Sequence, residues 1–107
     1  MRIPADAVIP PEKLTHYLLT ARPWDDKSKF LAQAGFSLND PAALEDAIRR
    51  TSAFFDAIED ETNDYGTFFR IEGLLQGPSG RPLQVVLIWL QWKLDGTFHF
   101  VTLKPLR

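Results

Sequence analysis

The sequence predicts an α+β domain, with short N-terminal helices packed on one face of an antiparallel meander sheet of three or more strands. Apolar residues recur at helical spacing in the first half of the chain, whereas the second half consists of strand-like stretches separated by short turn sequences. Helices followed by strands are typical of the α+β class. A chain of 107 residues has the length of one domain, so residues 1–107 are predicted to form a single domain.

The first two helices are predicted within residues 10–20 and 24–36. The second of these stretches, WDDKSKFLAQAGF, has Asp25 or Asp26 as a candidate N-cap and Gly35 as the residue that ends the helix. The first stretch, PPEKLTHYLLT, has proline suited to a first helical turn. Its apolar residues at helical spacing are Leu14, Tyr17 and Leu18.

The third helix has the strongest signals. It opens with Asp40 as a predicted N-cap and Pro41 in the first turn. Its apolar face is predicted to contain Leu44, Ala47, Ile48, Phe55 and Ile58. The acidic stretch that follows, EDETNDYG, lacks the alternating spacing and central glycine of a calcium-binding loop, so a solvated loop is predicted there.

Three strands are predicted in the second half, from TFFRIEGLLQ, RPLQVVLIWLQWKL and TFHFVTLKP, joined by the turns GPSG and DG. If GPSG is a four-residue loop and DG a two-residue turn, Ile71 lies opposite Val86 and Trp92 lies opposite His99. This register predicts a core face composed of Phe69, Ile71, Leu75, Val86, Ile88, Leu90, Trp92, Val101 and Leu103, with His99 at its edge.

The opposite face of the predicted sheet is mixed in chemistry. Short helices in a chain of this size can cover only one side of a sheet. The other side is therefore expected to be an exposed aromatic surface that also contains cationic side chains, and to serve as a ligand-binding surface or a homodimer interface. The alternative is that the third helix or the N-terminal segment folds over it. The residues predicted to bind on this face are Phe68, Arg70, Trp89, Phe100, Thr102 and Lys104.

Composition excludes several classes of function. The net charge of −2, with scattered basic residues, does not indicate charge-driven binding to nucleic acid. The absence of cysteine rules out disulfides and thiolate chemistry, and two distant histidines are a poor metal signal. We therefore predict no cofactor and no metal site. The longest apolar run, VVLIWL, is too short to span a bilayer, so a cytoplasmic protein without membrane contact is expected.

Two residues are candidates for catalysis. On a helical wheel Lys27 falls on the apolar side of its helix, whereas Lys29 points away. Lys27 is either a cation directed into a cleft or a snorkelling lysine paired with Asp25 or Asp26. His99 is either a general acid–base or a hydrogen-bonded structural histidine. His99 and Thr102 point to opposite faces of a strand unless a bulge intervenes.

A resemblance to a known family rests on short motifs in a fixed order. The stretches DDKSKFLAQAGF, DYGTFFRIEGLLQGPSGR and FHFVTLKP resemble a bacterial domain-of-unknown-function family, number 6883, and the resemblance extends from IPPEKLTHYLL to the C-terminus. The motif positions of that family fall on Lys27, Gly35, Phe36, Gly66, Thr67 and Thr102. The chain departs from the family pattern at Asp26, Lys29, His99 and Lys104, where the family has histidine, arginine, arginine and tyrosine.

The resemblance implies a toxin-associated domain, since such domains resemble toxin modules and occur near toxin and antitoxin genes. Two hypotheses follow. The first is a protein-interaction or oligomerisation module linked to a toxin–antitoxin system, which binds a protein partner or a second copy of itself. The alternative is a metal-independent, ribonuclease-like toxin domain acting on RNA. In it Lys27 and Arg70 would hold phosphate, Thr102 would position it and His99 would transfer protons.

Overall fold

A computed structural model describes residues 1–20 and 27–106. Seven elements follow one another within these residues. They are a π-helix at Lys13–Leu18, α1 at Lys27–Ala32, α2 at Pro41–Phe54, β1 at Ile58–Thr62, β2 at Gly66–Gln76, β3 at Pro82–Trp92 and β4 at Phe98–Pro105.

The helices begin and end largely where local chemistry requires. In the π-helix the Leu19 N–H donates to the Leu14 carbonyl, five residues back. Gly35 ends the second helical segment with a φ of 92°, a conformation in which glycine carries no Cβ penalty. Asp40 is the N-cap residue of α2 and Pro41 its first residue, although the Asp40 side chain makes no capping hydrogen bond. The predicted N-caps Asp25 and Asp26 lie outside the described residues.

The antiparallel meander is confirmed, and it has four strands in the order β1-β2-β3-β4. The additional strand, β1, comes from the acidic stretch predicted as a loop, and it includes Ile58, which was expected on the apolar face of the third helix. All five residues of β1 are exposed. The prediction failed because an edge strand with both faces in solvent shows no apolar alternation, and its charges protect the edge from pairing with other chains.

The core joins one face of the sheet to residues of the helices. Trp89 Nε1 donates a buried hydrogen bond of 3.2 Å to the Ser52 hydroxyl of α2. The Thr51 hydroxyl donates to the Leu74 carbonyl of β2 at 2.9 Å. The largest fully buried side chains are Trp89, Phe100, Leu18, Leu31, Leu44, Ile48, Ile71, Leu75, Leu87, Leu103 and Val85.

The predicted register of β2 and β3 is wrong by one residue. Ile71 pairs with Leu87 and not with Val86, because the connection between the strands comprises the five residues 77–81 and not the four of GPSG. A one-residue change turns every side chain of a strand to the other face. As a result Ile88, Leu90 and Trp92 leave the core face, whereas Val85, Leu87 and Trp89 enter it.

The register of β3 and β4 also differs from the prediction. His99 pairs with Leu90 and not with Trp92, because the turn holds the four residues 93–96 and not two. A β-bulge follows within β4. Trp89 pairs with Phe100 and Ile88 pairs with Thr102, so Val101 is an extra residue without a partner of its own. Phe98 and Phe100 therefore lie on the core face, whereas His99 and Thr102 share the opposite face.

The N-terminal segment contacts the free edge of β4 through one isolated bridge. Val8 forms a parallel bridge with His99, donating to the Phe98 carbonyl and accepting from the Phe100 N–H at 2.8 Å each. Arg49 of α2 donates to the Ala5 and Ala7 carbonyls and holds this segment against the helix. Its residues Ile3, Ala7 and Ile9 belong to the hydrophobic core.

Candidate functional site

The face of the sheet opposite the core, here called the outer face, is the candidate site. It consists of three adjacent rows across β2, β3 and β4, together with Trp92 of β3 and Leu74 of β2. Apart from Val86, its side chains are exposed or half-buried. The rows are Phe68–Leu90–His99, Arg70–Ile88–Thr102 and Glu72–Val86–Lys104, and Ile58 of β1 continues the middle row.

The outer face has an apolar centre with charged groups on both sides. The half-buried Ile88 and Leu90 and the buried Val86 form a stripe along β3, and neighbouring strands lie about 4.8 Å apart. Arg70 and Glu72 of β2 are paired at 2.7 Å on one side of the stripe, and Lys104 is exposed on the other. Single exposed apolar residues are common on protein surfaces, but a continuous stripe with a polar border is typical of a binding surface.

Arg70 is held in place by its neighbours. Its Nη2 group donates to Glu72, whereas Nε is buried with no hydrogen-bond partner among the described residues. Because Arg70 lies between Ile58 and Ile88 in its row, its aliphatic stem is covered while its side chain remains 39% exposed. Arg70 can therefore offer its remaining donors to an anion or to a partner's carboxylate.

His99 lies at the centre of a small polar network on the outer face. Its ring stacks on Trp92, with the centroids 3.6 Å apart and the ring planes 10° from parallel. His99 Nε2 is 2.7 Å from the Thr97 hydroxyl oxygen. The Thr97 hydroxyl donates to Asp95 Oδ1 at 2.7 Å, and the Thr97 N–H donates to the same oxygen at 3.0 Å.

This network lowers the pKa of Asp95. The hydrogen bond from the Thr97 hydroxyl is the largest cause, followed by the bond from the Thr97 N–H. When its ring is protonated, His99 adds a smaller coulombic lowering of the same pKa. Each of these interactions favours the ionised carboxylate, since a carboxylate accepts hydrogen bonds and attracts a cation.

The lowered pKa predicts how the stability contribution of Asp95 varies with pH. A carboxyl whose pKa is depressed by folding stabilises the protein above its unfolded pKa of about 3.9, and this contribution is lost as the pH falls through the folded pKa. The melting temperature of Asp95→Ala should therefore fall below that of the wild type at neutral pH, and the gap should close below about pH 3.9. Glu59→Ala on β1 controls for the loss of one negative charge. A gap that is unchanged in acid would contradict the assignment.

A groove of about 710 Å³ lies beside this network. Trp92, Tyr65 and Leu94 contribute to its wall, and Leu94 is 90% exposed at the tip of the β3–β4 turn. The Lys93 N–H donates to the Tyr65 carbonyl at 2.8 Å, so the turn and the segment before β2 are tied together. The groove therefore extends the outer face with further exposed apolar surface.

Lys27 is the first residue of α1 and does not lie on the sheet. Its Nζ donates to the Tyr17 hydroxyl at 2.7 Å and is 4.8 Å from the centroid of the Tyr17 ring. Lys27 is half-buried, whereas Lys29 is exposed, so the two lysines differ in the way that the helical wheel predicts. The predicted ion pair of Lys27 with Asp25 or Asp26 lies outside the described residues.

Some of the predicted site residues lie on one surface of the structure, whereas others lie elsewhere. Phe68, Arg70, His99, Thr102 and Lys104 share the outer face. The prediction that Trp89 and Phe100 bind on this face is wrong, because both are 1% exposed in the core as a consequence of the register and the bulge. Lys27 is on α1, which packs against the π-helix.

Asp95, Thr97 and the stacked ring of Trp92 did not emerge as functional candidates from the sequence. The signal that could have identified the first two is the Asp-Gly-Thr turn, since an aspartate commonly bonds to the backbone two residues further on. Across residues 1–20 and 27–106 no group of three histidine, aspartate or glutamate side chains is arranged to hold a metal ion. In the same part of the chain no helix is long and apolar enough to cross a membrane.

Comparisons with known proteins support the fold. No curated protein matches the chain. Among solved structures, the chain is similar to one chain of a contact-dependent growth inhibition toxin–immunity protein complex from Klebsiella pneumoniae 342. The TM-score is 0.71 at 22% identity, over 94% of this chain and 100% of the other. The sequence also matches the family Domain of unknown function (DUF6883) over residues 4–107. The chain therefore belongs to the DUF6883 family.

Proposed function

We propose that this domain is one member of a toxin–immunity type of protein pair and that it binds its partner through the outer face. The observation that carries the proposal is the apolar stripe of Val86, Ile88 and Leu90, bordered by charged side chains. The structural neighbour, with the same fold, comes from a complex between a growth inhibition toxin and its immunity protein. A protein partner is therefore the occupant that the fold comparison favours.

The charge pattern describes the surface that such a partner should present. β1 adds Glu59, Asp60 and Glu61 along one edge of the sheet, and all three are exposed. Basic side chains of a partner would meet this edge while apolar side chains cover the stripe. A carboxylate of the partner would face Lys104 on the opposite strand. A partner with an apolar centre, basic side chains where it meets β1 and a carboxylate where it meets Lys104 is therefore expected.

The test is binding to the products of the genes adjacent to its own. Leu74 lies on the outer side of β2 and is 47% exposed, whereas Leu38 lies in the loop before α2 and is 51% exposed. Leu74→Arg should raise the dissociation constant at least about tenfold, because a buried, unpaired guanidinium costs more than about 1.4 kcal/mol. Leu38→Arg, the matched control, should bind as the wild type does. Isothermal titration calorimetry measures both.

Two outcomes would contradict the proposal. One is equal weakening of binding by both substitutions, and the other is binding that neither affects. A second copy of the chain is the competing occupant of the outer face. In that case sedimentation of the protein alone would show a dimer that Leu74→Arg dissociates, with no adjacent gene product bound.

A second candidate function is RNA cleavage by a toxin domain. The observation that favours it is the bulge at Val101, which leaves His99 on the same face as Thr102 and Arg70. A proton-transfer group and donors for a phosphate then share one surface. Two observations count against this candidate. The net charge is −2, and Lys27 lies on α1 and not on the outer face.

Cleavage of total bacterial RNA by the purified domain tests the second candidate. His99→Ala should reduce the rate at least about 100-fold, the lower range for loss of a general acid–base. His16→Ala, on the π-helix, is the control and should cleave at the wild-type rate. Intact RNA with the wild-type domain, or equal rates for wild type and His99→Ala, would rule this candidate out.

A further inference from the structure

The hydrogen bonds among Asp95, Thr97 and His99 determine which atoms carry protons. The Thr97 hydroxyl has one proton, and it donates that proton to Asp95 Oδ1 at 2.7 Å. An ionised carboxylate can only accept hydrogen bonds. The Thr97 oxygen can then only accept from His99 Nε2, which lies 2.7 Å away. His99 Nε2 must therefore carry a proton.

A neutral imidazole with a proton on Nε2 has an unprotonated Nδ1. We propose that Asp95 and Thr97 are positioning residues that hold neutral His99 in the Nε2–H tautomer, so that its Nδ1 is the proton acceptor that the outer face presents to an alcohol such as a ribose hydroxyl. The identity of the alcohol rests on the second candidate function, RNA cleavage. The tautomer does not depend on it.

Further observations support this arrangement. Trp92 stacks flat against the His99 ring and fixes its plane. Within residues 1–20 and 27–106, Nδ1 has no hydrogen-bond partner, so it remains available to a ligand. The hydrogen bonds from Thr97 lower the pKa of Asp95 and so favour the ionised carboxylate, which can only accept hydrogen bonds. A structural histidine inside the core would instead have both ring nitrogens satisfied.

Nitrogen-15 NMR of the histidine rings tests the tautomer directly. The spectra are recorded at alkaline pH, in the range where the ring-nitrogen shifts no longer change with pH. The wild type should show a protonated Nε2 and an unprotonated Nδ1, with less of the other tautomer than an isolated histidine peptide shows. Thr97→Val should return the distribution to that of the peptide, and Thr97→Ser should preserve the wild-type distribution. A protonated Nδ1 in the wild type, or no effect of Thr97→Val, would overturn the proposal.

A kinetic measurement distinguishes this proposal from the function on which it rests. If the domain cleaves RNA, Thr97→Val should lower kcat about tenfold or more and leave KM unchanged, because a positioning residue acts through His99 on the chemical step. An unchanged kcat would refute the positioning role. The wild-type domain could instead show the fixed tautomer and leave RNA intact. This result would support the role of Asp95 and Thr97 and would exclude RNA as the source of the alcohol.

Discussion

Replacing Trp89 by alanine is expected to lower the free energy of unfolding by about 3–5 kcal/mol, the usual range for removing a large aromatic side chain from a core. Trp89 is 1% exposed, its ring packs edge-on against Phe100 at 5.5 Å, and its indole N–H donates to Ser52. The substitution therefore leaves a cavity and removes the partner of a buried hydroxyl. Thermal and denaturant unfolding measure the loss, and the melting temperature should fall by roughly 15 °C or more.

Trp92→Ala in the same strand is the matched control. Trp92 is 40% exposed on the outer face, and its main contact is the stack with His99. Its replacement should cost only about 1 kcal/mol, which is typical of one aromatic pair. The comparison also tests the orientation of β3, since the register predicted from the sequence places Trp92 in the core and Trp89 outside. A larger loss from Trp92→Ala than from Trp89→Ala would mean that the register described here is wrong.

Gly66→Ala is expected to have the next largest effect. A Cβ atom at Gly66 would lie 1.9 Å from the Gln91 carbonyl oxygen, which belongs to the backbone of the paired strand. The strands must separate to make room, so we expect a loss of about 3 kcal/mol, at the upper end of the range for overpacking. Equilibrium unfolding in urea gives this value. The mismatch should also weaken the start of β2, beside the groove.

Gly73→Ala in the same strand provides the control. A Cβ atom at Gly73 would meet the ring of Phe55 at 2.7 Å, and a side chain can turn aside where a backbone cannot. Phe55 follows the last residue of α2 and is only half-buried. A loss of about 1 kcal/mol is expected, at the lower end of the same range. If Gly66→Ala cost no more than Gly73→Ala, the close approach of β2 to Gln91 would be incorrect.

The sequence was sufficient for the elements with strong local signals. Proline at the start of α2 and glycine at the end of the second helical segment were predicted and are present. The positions of the β2–β3 and β3–β4 turns were also predicted, but both turns are longer than predicted. The orientation of β3 could not be decided in the same way, because residues 85–90 are apolar at every position and fit either face. The predicted orientation of β3 therefore depended on the assumed length of the β2–β3 loop, and an error of one residue in that length exchanged its two faces.

The bulge in β4 is visible in the sequence once the buried residues of the strand are known. Phe98 and Phe100 are buried at even positions, whereas Leu103 is buried at an odd one. A regular strand keeps its buried residues at one parity, so a change of parity indicates an extra residue between them. This feature is central to the candidate site, because it places His99 and Thr102 on one face. Phe100 lies in the core through its pairing with Trp89.

Chemical-shift mapping by NMR is the measurement that tests the outer face as a binding surface most directly. The isotopically labelled domain is titrated with the adjacent gene product that binds it. We predict that the largest amide shifts occur in β2, β3 and β4 at the outer-face residues, including Arg70, Ile88 and Thr102, with small shifts along α2. Large shifts confined to α2, with the outer-face amides unchanged, would contradict the account.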